Sequence, residues 1–191
     1  MQTSNRAVVI TVLSLMLASS IFLILEYVNQ QPIAAVPSAH TVASPMNFSR
    51  YENSTFGISV QYPSDWKKFE DFRGSWFRNM NESVNVRVES TTFQNGNLGV
   101  FTMKQINGTG QQFPSLMLVE SNETKIGDNY TAYRIVFTFP VIPADLQKTK
   151  EMQVWTVNGS RAYVISYFTK IEDYDKYLPT AQKIIDSFRI K

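Results

Sequence analysis

The sequence predicts an α+β domain built mainly from an antiparallel β-sheet, and three observations indicate this class. Apolar and polar residues alternate in several short runs, which is typical of half-buried strands. Two such runs are separated by Asn158-Gly159, a dipeptide typical of tight β-hairpins. Apolar side chains then recur at helical spacing over residues 174–188. This last pattern predicts one amphipathic helix that packs on the sheet.

An uncharged run precedes the domain. Residues 7–25 contain no charged side chain, and as a helix they would be about 28 Å long. That length is close to the hydrocarbon thickness of a bilayer, so we predict a signal anchor that spans the membrane within residues 1–28. The alternative is a cleaved signal peptide, which would release a secreted form of the same domain.

The charges that flank this run predict its orientation. Arg6 precedes the run, Glu26 follows it, and the next Lys or Arg is Arg50. Basic residues favour the cytoplasmic side of a membrane. We therefore expect a single-pass cell-membrane protein with a cytoplasmic amino terminus and an extracytoplasmic domain.

Seven Asn-X-Ser/Thr sequons follow the uncharged run. A sequon can accept a glycan only on an exported surface, so their position agrees with the predicted orientation. The alternative is that turns favour Asn, Ser and Thr for backbone reasons. The candidate glycosylation sites are Asn47, Asn53, Asn81, Asn107, Asn122, Asn129 and Asn158.

Composition excludes several kinds of chemistry. The chain has no cysteine, which excludes disulfides, thiol nucleophiles and cysteine metal ligands. Its only histidine, His40, precedes the domain, which therefore lacks imidazole for acid–base work. The chain has 18 Lys and Arg against 16 Asp and Glu, and the two signs of charge are interspersed, so we expect no basic face that binds nucleic acid. We predict no cofactor, no metal site and no catalytic residue. A cysteine-free exported domain favours a prokaryotic cell surface.

Residues 29–50 connect the run to the domain. They contain Pro32, Pro37 and Pro45 among small and polar residues, without apolar periodicity. This composition predicts an extended tether whose reach is at most about 65 Å. We assign residues 51–191 to the folded domain.

The first half of the domain contains three predicted strand segments. Residues 58–62 alternate in polarity and end at Pro63, which cannot donate to a β-ladder. Trp76 and Phe77 begin a second extended segment, and a turn is predicted over residues 79–83. Residues 84–89 alternate valines with polar side chains, as a half-buried strand does.

The middle of the domain lacks a clear period. Residues 95–112 are rich in Gly, Asn and Gln, and we predict a loop there. Their glycines do not form a phosphate-binding motif, because no strand-to-helix context surrounds them. A short helix is predicted within residues 113–121, beginning near Pro114.

The second half contains the most apolar strands. Residues 133–139 place apolar side chains on both faces, which predicts a central strand after a turn at Asp128-Asn129. Residues 152–157 and 161–168 form the predicted hairpin around Asn158-Gly159, with a type I′ turn. The final helix is expected to have Asp173 as its N-cap. Pro179 either kinks this helix or begins it.

Two segments together resemble PsbP-like domains. The segment from Phe56 to Trp66, FGISVQYPSDW, is similar to the family's opening strand, and residues 177–188 resemble its final helix, which often ends in Ser-Phe. The resemblance covers roughly residues 51–190. It implies an antiparallel sheet flanked by helices on both faces. Known members include lumenal subunits that support the oxygen-evolving side of photosystem II, and the fold includes a regulator of a nuclear transport GTPase. The anchor and the sequons depart from the photosynthetic pattern, so an anchored, non-photosynthetic member is expected.

Two sets of side chains are candidate binding groups. Glu172, Asp173 and Asp175 form an acidic cluster, but carboxylates near a helix N-terminus are favoured by the helix dipole without any cation. Trp76 and Trp155 could anchor a partner or a glycan, although core packing is the expected role of both.

These observations predict a membrane-anchored, extracytoplasmic module that binds or assembles membrane or surface complexes and is not an enzyme. The alternative is a cell-surface hydrolase that uses Asp and Glu as acid and base. Buried carboxylates clustered in a pocket would favour the hydrolase. An exposed apolar or aromatic patch would favour the binding module.

Overall fold

The computed structural model describes residues 46–140 and 148–191. The predicted anchor, His40 and most of the tether lie outside these residues. Within them, no helix is long and apolar enough to span a bilayer. The described elements, in chain order, are β1 (Phe48–Asn53), β2 (Ile58–Pro63), β3 (Lys67–Glu70), β4 (Gly74–Arg78), β5 (Val84–Thr92), α1 (Leu98–Gln112), β6 (Met117–Ile126), β7 (Tyr130–Pro140), β8 (Lys148–Asn158), β9 (Arg161–Lys170), α2 (Ile171–Asp186) and β10 (Arg189–Ile190).

The described strands form two antiparallel sheets. The larger sheet has the strand order β3-β4-β5-β9-β8-β7-β6, and the smaller one has the order β1-β2-β10. Side chains alternate between the two faces of the large sheet, so each face has its own apolar cluster. The helix α2 packs in one cluster and α1 in the other. The predicted α+β class, with an antiparallel sheet and helices on both faces, is confirmed.

The main core lies between the large sheet, the small sheet and α2. The valines predicted to alternate in residues 84–89 are all fully buried there. The apolar stripe of α2 places Ile184 and Ile185 in the same cluster, and Phe188, just after the helix, joins them; each is at most 1% exposed. The smaller sheet closes the core with Ile58 and Val60, which come from the predicted opening strand.

The beginning of α2 differs from the prediction. The helix begins at Ile171 and its N-cap is Lys170, which makes no side-chain capping bond, so the prediction of Asp173 as N-cap is wrong. Asp173 lies instead in the first turn, where the helix dipole favours a carboxylate. One continuous helix runs through Pro179 to Asp186. Tertiary packing of the apolar stripe offsets the backbone hydrogen bond that proline removes.

The loop predicted over residues 95–112 is wrong, because residues 98–112 form α1. The Asn97 side chain caps this helix by accepting a hydrogen bond from the Val100 N–H at 3.0 Å. Phe101 and Thr102 are buried against the large sheet, where Trp155 Nε1 donates to Thr102 Oγ1 at 2.8 Å. Packing and capping thus outweigh the low helix propensity of the glycines.

Three further segments of the domain also differ from the predicted elements. The short helix predicted within residues 113–121 is wrong, since this region is a turn followed by β6. The strand β3 was not predicted. At the other end of the domain, β1 begins at Phe48, within the range assigned to the tether.

The predicted hairpin is confirmed, but its turn is not type I′. Asn158 pairs with Arg161, so the two turn residues are Gly159 and Ser160, and only Gly159 has positive φ. A type I′ turn needs positive φ at both central residues. The strand predicted over residues 133–139 is confirmed as internal, because β7 pairs with β6 and with β8.

Candidate functional site

One half of the large sheet carries polar side chains on the face that α1 only partly covers. The residues Trp76, Arg87, Ser166 and Gln153 lie in one row across β4, β5, β9 and β8, because each pairs in register with the next. We call Arg87, Glu89, Glu151, Gln153 and Ser166 the polar cluster. The alternation of strand side chains dictates this placement, since their neighbours in sequence point into the main core.

A tightly held arginine lies at the centre of the row. Arg87 Nη2 is 2.7 Å from Glu89 Oε1, and the guanidinium carbon lies 4.6 Å from the centre of the Trp76 ring. The Nε and Nη2 atoms of Arg87 nevertheless have no acceptor in hydrogen-bonding geometry. The ion pair is therefore close in distance but leaves two buried nitrogen atoms of Arg87 without a hydrogen-bond acceptor.

Glu151 is the most buried carboxyl of the cluster, at 7% exposure. Burial raises its pKa to about 7, although hydrogen bonds from Gln153 and Ser166 oppose this change and the charge of Glu89 adds to it. Gln153 Nε2 donates to Glu151 Oε1 at 2.8 Å. A carboxyl with this pKa can hold or release a proton near neutral pH. Burial likewise raises the pKa of Glu89, against the nearby charges of Arg87 and Arg73.

A cleft of about 470 Å³ opens beside this cluster, and we call it the arginine cleft. One of its walls is the β3–β4 turn, the second is α1, and its floor is formed by β5 and β9. It is lined by Phe72, Arg73, Glu89, Ser90, Thr91, Thr92, Phe101, Gln105, Arg161, Ala162 and Val164.

The β3–β4 turn that forms one wall of the cleft contains local hydrogen bonds. The backbone N–H groups of Arg73 and Gly74 donate to Asp71 Oδ1 at 2.8 and 3.0 Å. Burial acts to raise the pKa of Asp71, but these two donors prevail and lower it. A Cβ at Gly74 would lie 2.1 Å from the Val88 carbonyl oxygen, so only glycine permits this approach of β4 to β5. Phe72 projects from this turn at 87% exposure.

An apolar groove of about 180 Å³ lies on the other side of α1, between this helix and β6. It is lined by Ile106, Thr109, Gly110, Phe113, Pro114, Leu116, Leu118, Ser121 and Ile135. Ile106 and Leu118 in this lining, and four further apolar side chains of the same two elements, are between 39% and 63% exposed, the four being Val100, Met103, Met117 and Val119. We call these six residues the α1–β6 surface, and exposed large apolar side chains thus accumulate on these two elements.

The asparagines of the seven sequons differ in their exposure to solvent. Six candidate asparagines are exposed, namely Asn47, Asn81, Asn107, Asn122, Asn129 and Asn158. Asn53 is only partly exposed, and both ends of its amide are engaged. Its Nδ2 donates to the Tyr51 hydroxyl at 2.8 Å, and its Oδ1 accepts from the Phe56 N–H at 2.9 Å.

We therefore expect no glycan at Asn53 of the folded protein. The Nδ2 atom, which would carry the sugar, is held against the Tyr51 hydroxyl in a network that includes Ser75. Mass spectrometry of glycopeptides from native membranes measures the occupancy of each sequon. The exposed Asn81 and Asn129 serve as comparison sites within the same sample. A glycan found at Asn53 of protein with unchanged thermal stability would contradict this expectation.

The residues singled out as possible binding groups are not brought together. Trp155 is fully buried in the α1 cluster, as expected, whereas Trp76 is half-buried on the open face beside Arg87. Glu172, Asp173 and Asp175 lie on the first turns of α2, on the opposite face of the sheet. In the part of the chain that the structure describes, no group of three or more potential ligands could hold a metal ion.

The sequence does not reveal the polar cluster, for two reasons. Arg87 and Glu89 occupy the polar positions of an alternating strand, and this pattern usually indicates a solvated face. Glu151 immediately precedes the apolar segment of β8, without any motif around it. Only the pairing of β5, β9 and β8 places these side chains on one surface.

Comparison with known proteins identifies the family. A family model described as PsbP-like protein matches residues 7–190. No curated protein sequence matches the chain. Among solved structures, the fold is similar to that of cyanobacterial PsbP (CyanoP) from Synechocystis sp. PCC 6803. The TM-score is 0.57 at 16% identity, and the match covers 78% of this chain and 95% of that one.

Two further structures share the fold. The Ran-binding protein Mog1p of Saccharomyces cerevisiae matches with a TM-score of 0.52 at 10% identity, over 76% of this chain and 96% of that one. LpqN of Mycobacterium tuberculosis, involved in cell envelope biogenesis, matches with a TM-score of 0.52 at 12% identity, over 78% and 87%. At these identities the likeness concerns the fold alone, whereas the family match covers nearly the whole chain. The chain therefore belongs to the PsbP-like protein family.

Proposed function

We propose that this PsbP-like protein is a binding or assembly module rather than an enzyme. In this proposal residues 7–25 anchor it in the cell membrane, and the domain works outside the cytoplasm on membrane or surface protein complexes. The uncharged run, Arg6 before it and the sequons after it support the location. The fold shared with LpqN, a protein involved in cell envelope biogenesis, agrees with such a place.

The observation that carries the proposal is the α1–β6 surface. Six large apolar side chains of α1 and β6 are 39–63% exposed, and two of them, Ile106 and Leu118, line the groove, although an apolar group left in water adds nothing to the stability of the fold. Apolar patches of this kind on soluble domains usually mark sites where another protein binds. A tether also raises the effective concentration of such a surface near partners in the same membrane.

A second candidate function is a surface hydrolase, and one observation favours it. Glu151 has a pKa of about 7, which suits a general acid or base at neutral pH. Its immediate surroundings favour the binding module instead. The carboxyl is 7% exposed and bonded to Gln153, and the neighbouring Glu89 is paired with Arg87. One oxygen of each carboxyl is thus already engaged within the protein.

Site-specific crosslinking in native membranes tests the proposed function. A photoreactive amino acid is placed at Met103 or Leu118 of the full chain, within the α1–β6 surface. The matched control is Met80, which is 65% exposed but lies in the β4–β5 turn, away from this surface. We expect the same discrete crosslinked protein from Met103 and Leu118 and none from Met80. Release of the domain from residues 7–25 is expected to reduce this crosslink strongly, because the effective concentration falls.

Two results would contradict the proposal. One is equal crosslinking from all three positions, which would indicate nonspecific contact. The other is turnover of ester or glycoside substrates by the full chain, with activity lost in Glu151→Gln. This second result would support the hydrolase as the function in place of the binding module.

A further inference from the structure

We propose that the exposed edge of β6 binds an extended segment of a partner protein as an added β-strand, with one large apolar side chain of that segment in the groove between α1 and β6. This inference rests on the proposed binding function and specifies how the domain holds its partner. Strand addition requires a strand edge with unpaired backbone groups and a neighbouring pocket that takes a side chain of the added strand. Both requirements are met at β6.

The backbone edge of β6 is long and exposed. Among the described strands, β6 is the last in the order of the large sheet and pairs only with β7. Alternate N–H and C=O groups of such a strand point away from its neighbour and are open to a further strand. Most of the ten residues of β6 are exposed. The opposite edge, β3, has only four residues and begins with Lys67 and Lys68, as protected edges often do.

The groove lies directly beside this edge. Leu118 and Ser121 line it from β6. A register shift after Leu118 places both side chains on the α1 face of the sheet, although they are three residues apart in sequence. Across the groove, Ile106 and Gly110 lie one helical turn apart on the same side of α1. The groove volume of about 180 Å³ is below the roughly 300–1,000 Å³ of a small-molecule pocket and therefore suits one large side chain.

The charges along the same face of β6 define the partner segment further. Glu123 and Lys125 follow Ser121 at alternate positions, and both are exposed. Their neighbours on β7 are Tyr133 and Thr131, which carry no charge at neutral pH. An added strand is therefore favoured when it places a basic residue opposite Glu123 and an acidic residue opposite Lys125, because opposite charges across a β-ladder attract. With the groove, this pattern predicts apolar, basic and acidic residues at alternate positions of the partner segment.

Photocrosslinking along β6 of the full chain in native membranes tests this inference. A photoreactive amino acid replaces Ser121 or Glu123 on the α1 face, or Asn122 or Thr124 on the opposite face. A strand added at the edge can be reached from both faces. We expect all four positions to capture the same protein, at successive residues of one segment with the predicted charge pattern. Lys67 on the β3 edge is the control and should capture none of it.

Two glycine variants test the role of the groove. Gly110→Leu adds a side chain on the groove side of α1, whereas Gly108→Leu adds one outside the groove on the same helix. A Cβ at either glycine meets nothing within 4 Å, and leucine has the higher helix propensity, so both variants should fold. Gly110→Leu should reduce capture from Thr124 about tenfold, as the loss of one buried apolar side chain predicts. Gly108→Leu should leave this capture unchanged.

Four results would overturn the inference. One is the absence of capture from all four β6 positions. Capture from Ser121 and Glu123 alone would show that the partner lies on the α1 face and not along the edge. Undiminished capture in Gly110→Leu would exclude the groove. A glycan on Asn122 of the native protein would also overturn the inference, because a sugar at this exposed edge residue would block an added strand.

The two proposals can fail independently. If Met103 and Leu118 capture a discrete protein but Asn122 and Thr124 do not, strand addition fails and the proposed binding function remains. If Met80 captures as much protein as Met103 and Leu118, the proposed function fails, whatever the four β6 positions capture.

Discussion

Deletion of residues 177–191 is expected to abolish the cooperative unfolding transition of the domain. The deletion removes the second half of α2 and the strand β10, and with them the fully buried Ile184, Ile185 and Phe188. Burial of these three side chains contributes roughly 5–9 kcal/mol. The total stability of a domain is about 5–15 kcal/mol, so little would remain. Circular dichroism during heating measures this, and the truncated chain should lose ellipticity gradually, without a midpoint.

Two single substitutions serve as graded controls for this deletion. Ile184→Ala creates a cavity in the main core and should lower the free energy of unfolding by about 2–5 kcal/mol. Lys176→Ala on the exposed face of the same helix should change it by less than about 0.5 kcal/mol. A cooperative melt with an unchanged midpoint in the truncated chain would show that α2 does not complete the core.

Glu151→Gln is expected to stabilise the domain at pH 8 and to have no effect near pH 4.5. In the folded state the pKa of Glu151 is raised from 4.5 to about 7, chiefly by burial. Between these two values the unfolded chain has released the proton while the folded chain still holds it. The folded state therefore binds more protons, and its stability falls as the pH rises through this window.

The difference between the two pKa values corresponds to a loss of about 3 kcal/mol in the free energy of unfolding, and this loss is complete above pH 7. Glutamine keeps an oxygen that can accept from Gln153 Nε2, but it carries no charge at any pH, so this loss disappears. Urea denaturation at pH 4.5, 6 and 8 measures the gain. Glu123→Gln, at an exposed position on β6, is the matched control and should show no such pH-dependent gain.

The opposite result would be informative about the site. If Glu151→Gln is less stable than the natural chain at pH 8, the ionised carboxylate itself stabilises the fold, and Glu151 is not held as the neutral acid. A gain of equal size at all three pH values would show that the effect comes from packing rather than from titration.

The sequence by itself determined the class of the fold and most of its strands. The valines of residues 84–89, the hairpin near Asn158 and the apolar stripe ending at Phe188 are periodic signals, and the periods of strand and helix are local properties of the backbone. The residues from Phe56 to Trp66 and the final helix also sufficed to indicate the family, which the family match confirms. Signals of this kind need no knowledge of distant contacts.

Tertiary structure decided α1, β6 and the candidate site. The glycine-rich segment becomes the helix α1 because Phe101 and Thr102 find partners on the sheet, among them Trp155, and such partners are invisible to a local pattern. The strand β6 forms because β7 offers it a pairing edge. In the polar cluster, Arg87 and Glu151 come from strands far apart in sequence, and only the strand order β5-β9-β8 places them on one face. The pKa of Glu151 is raised because this packing buries its carboxyl group, and burial cannot be read from the side chain alone.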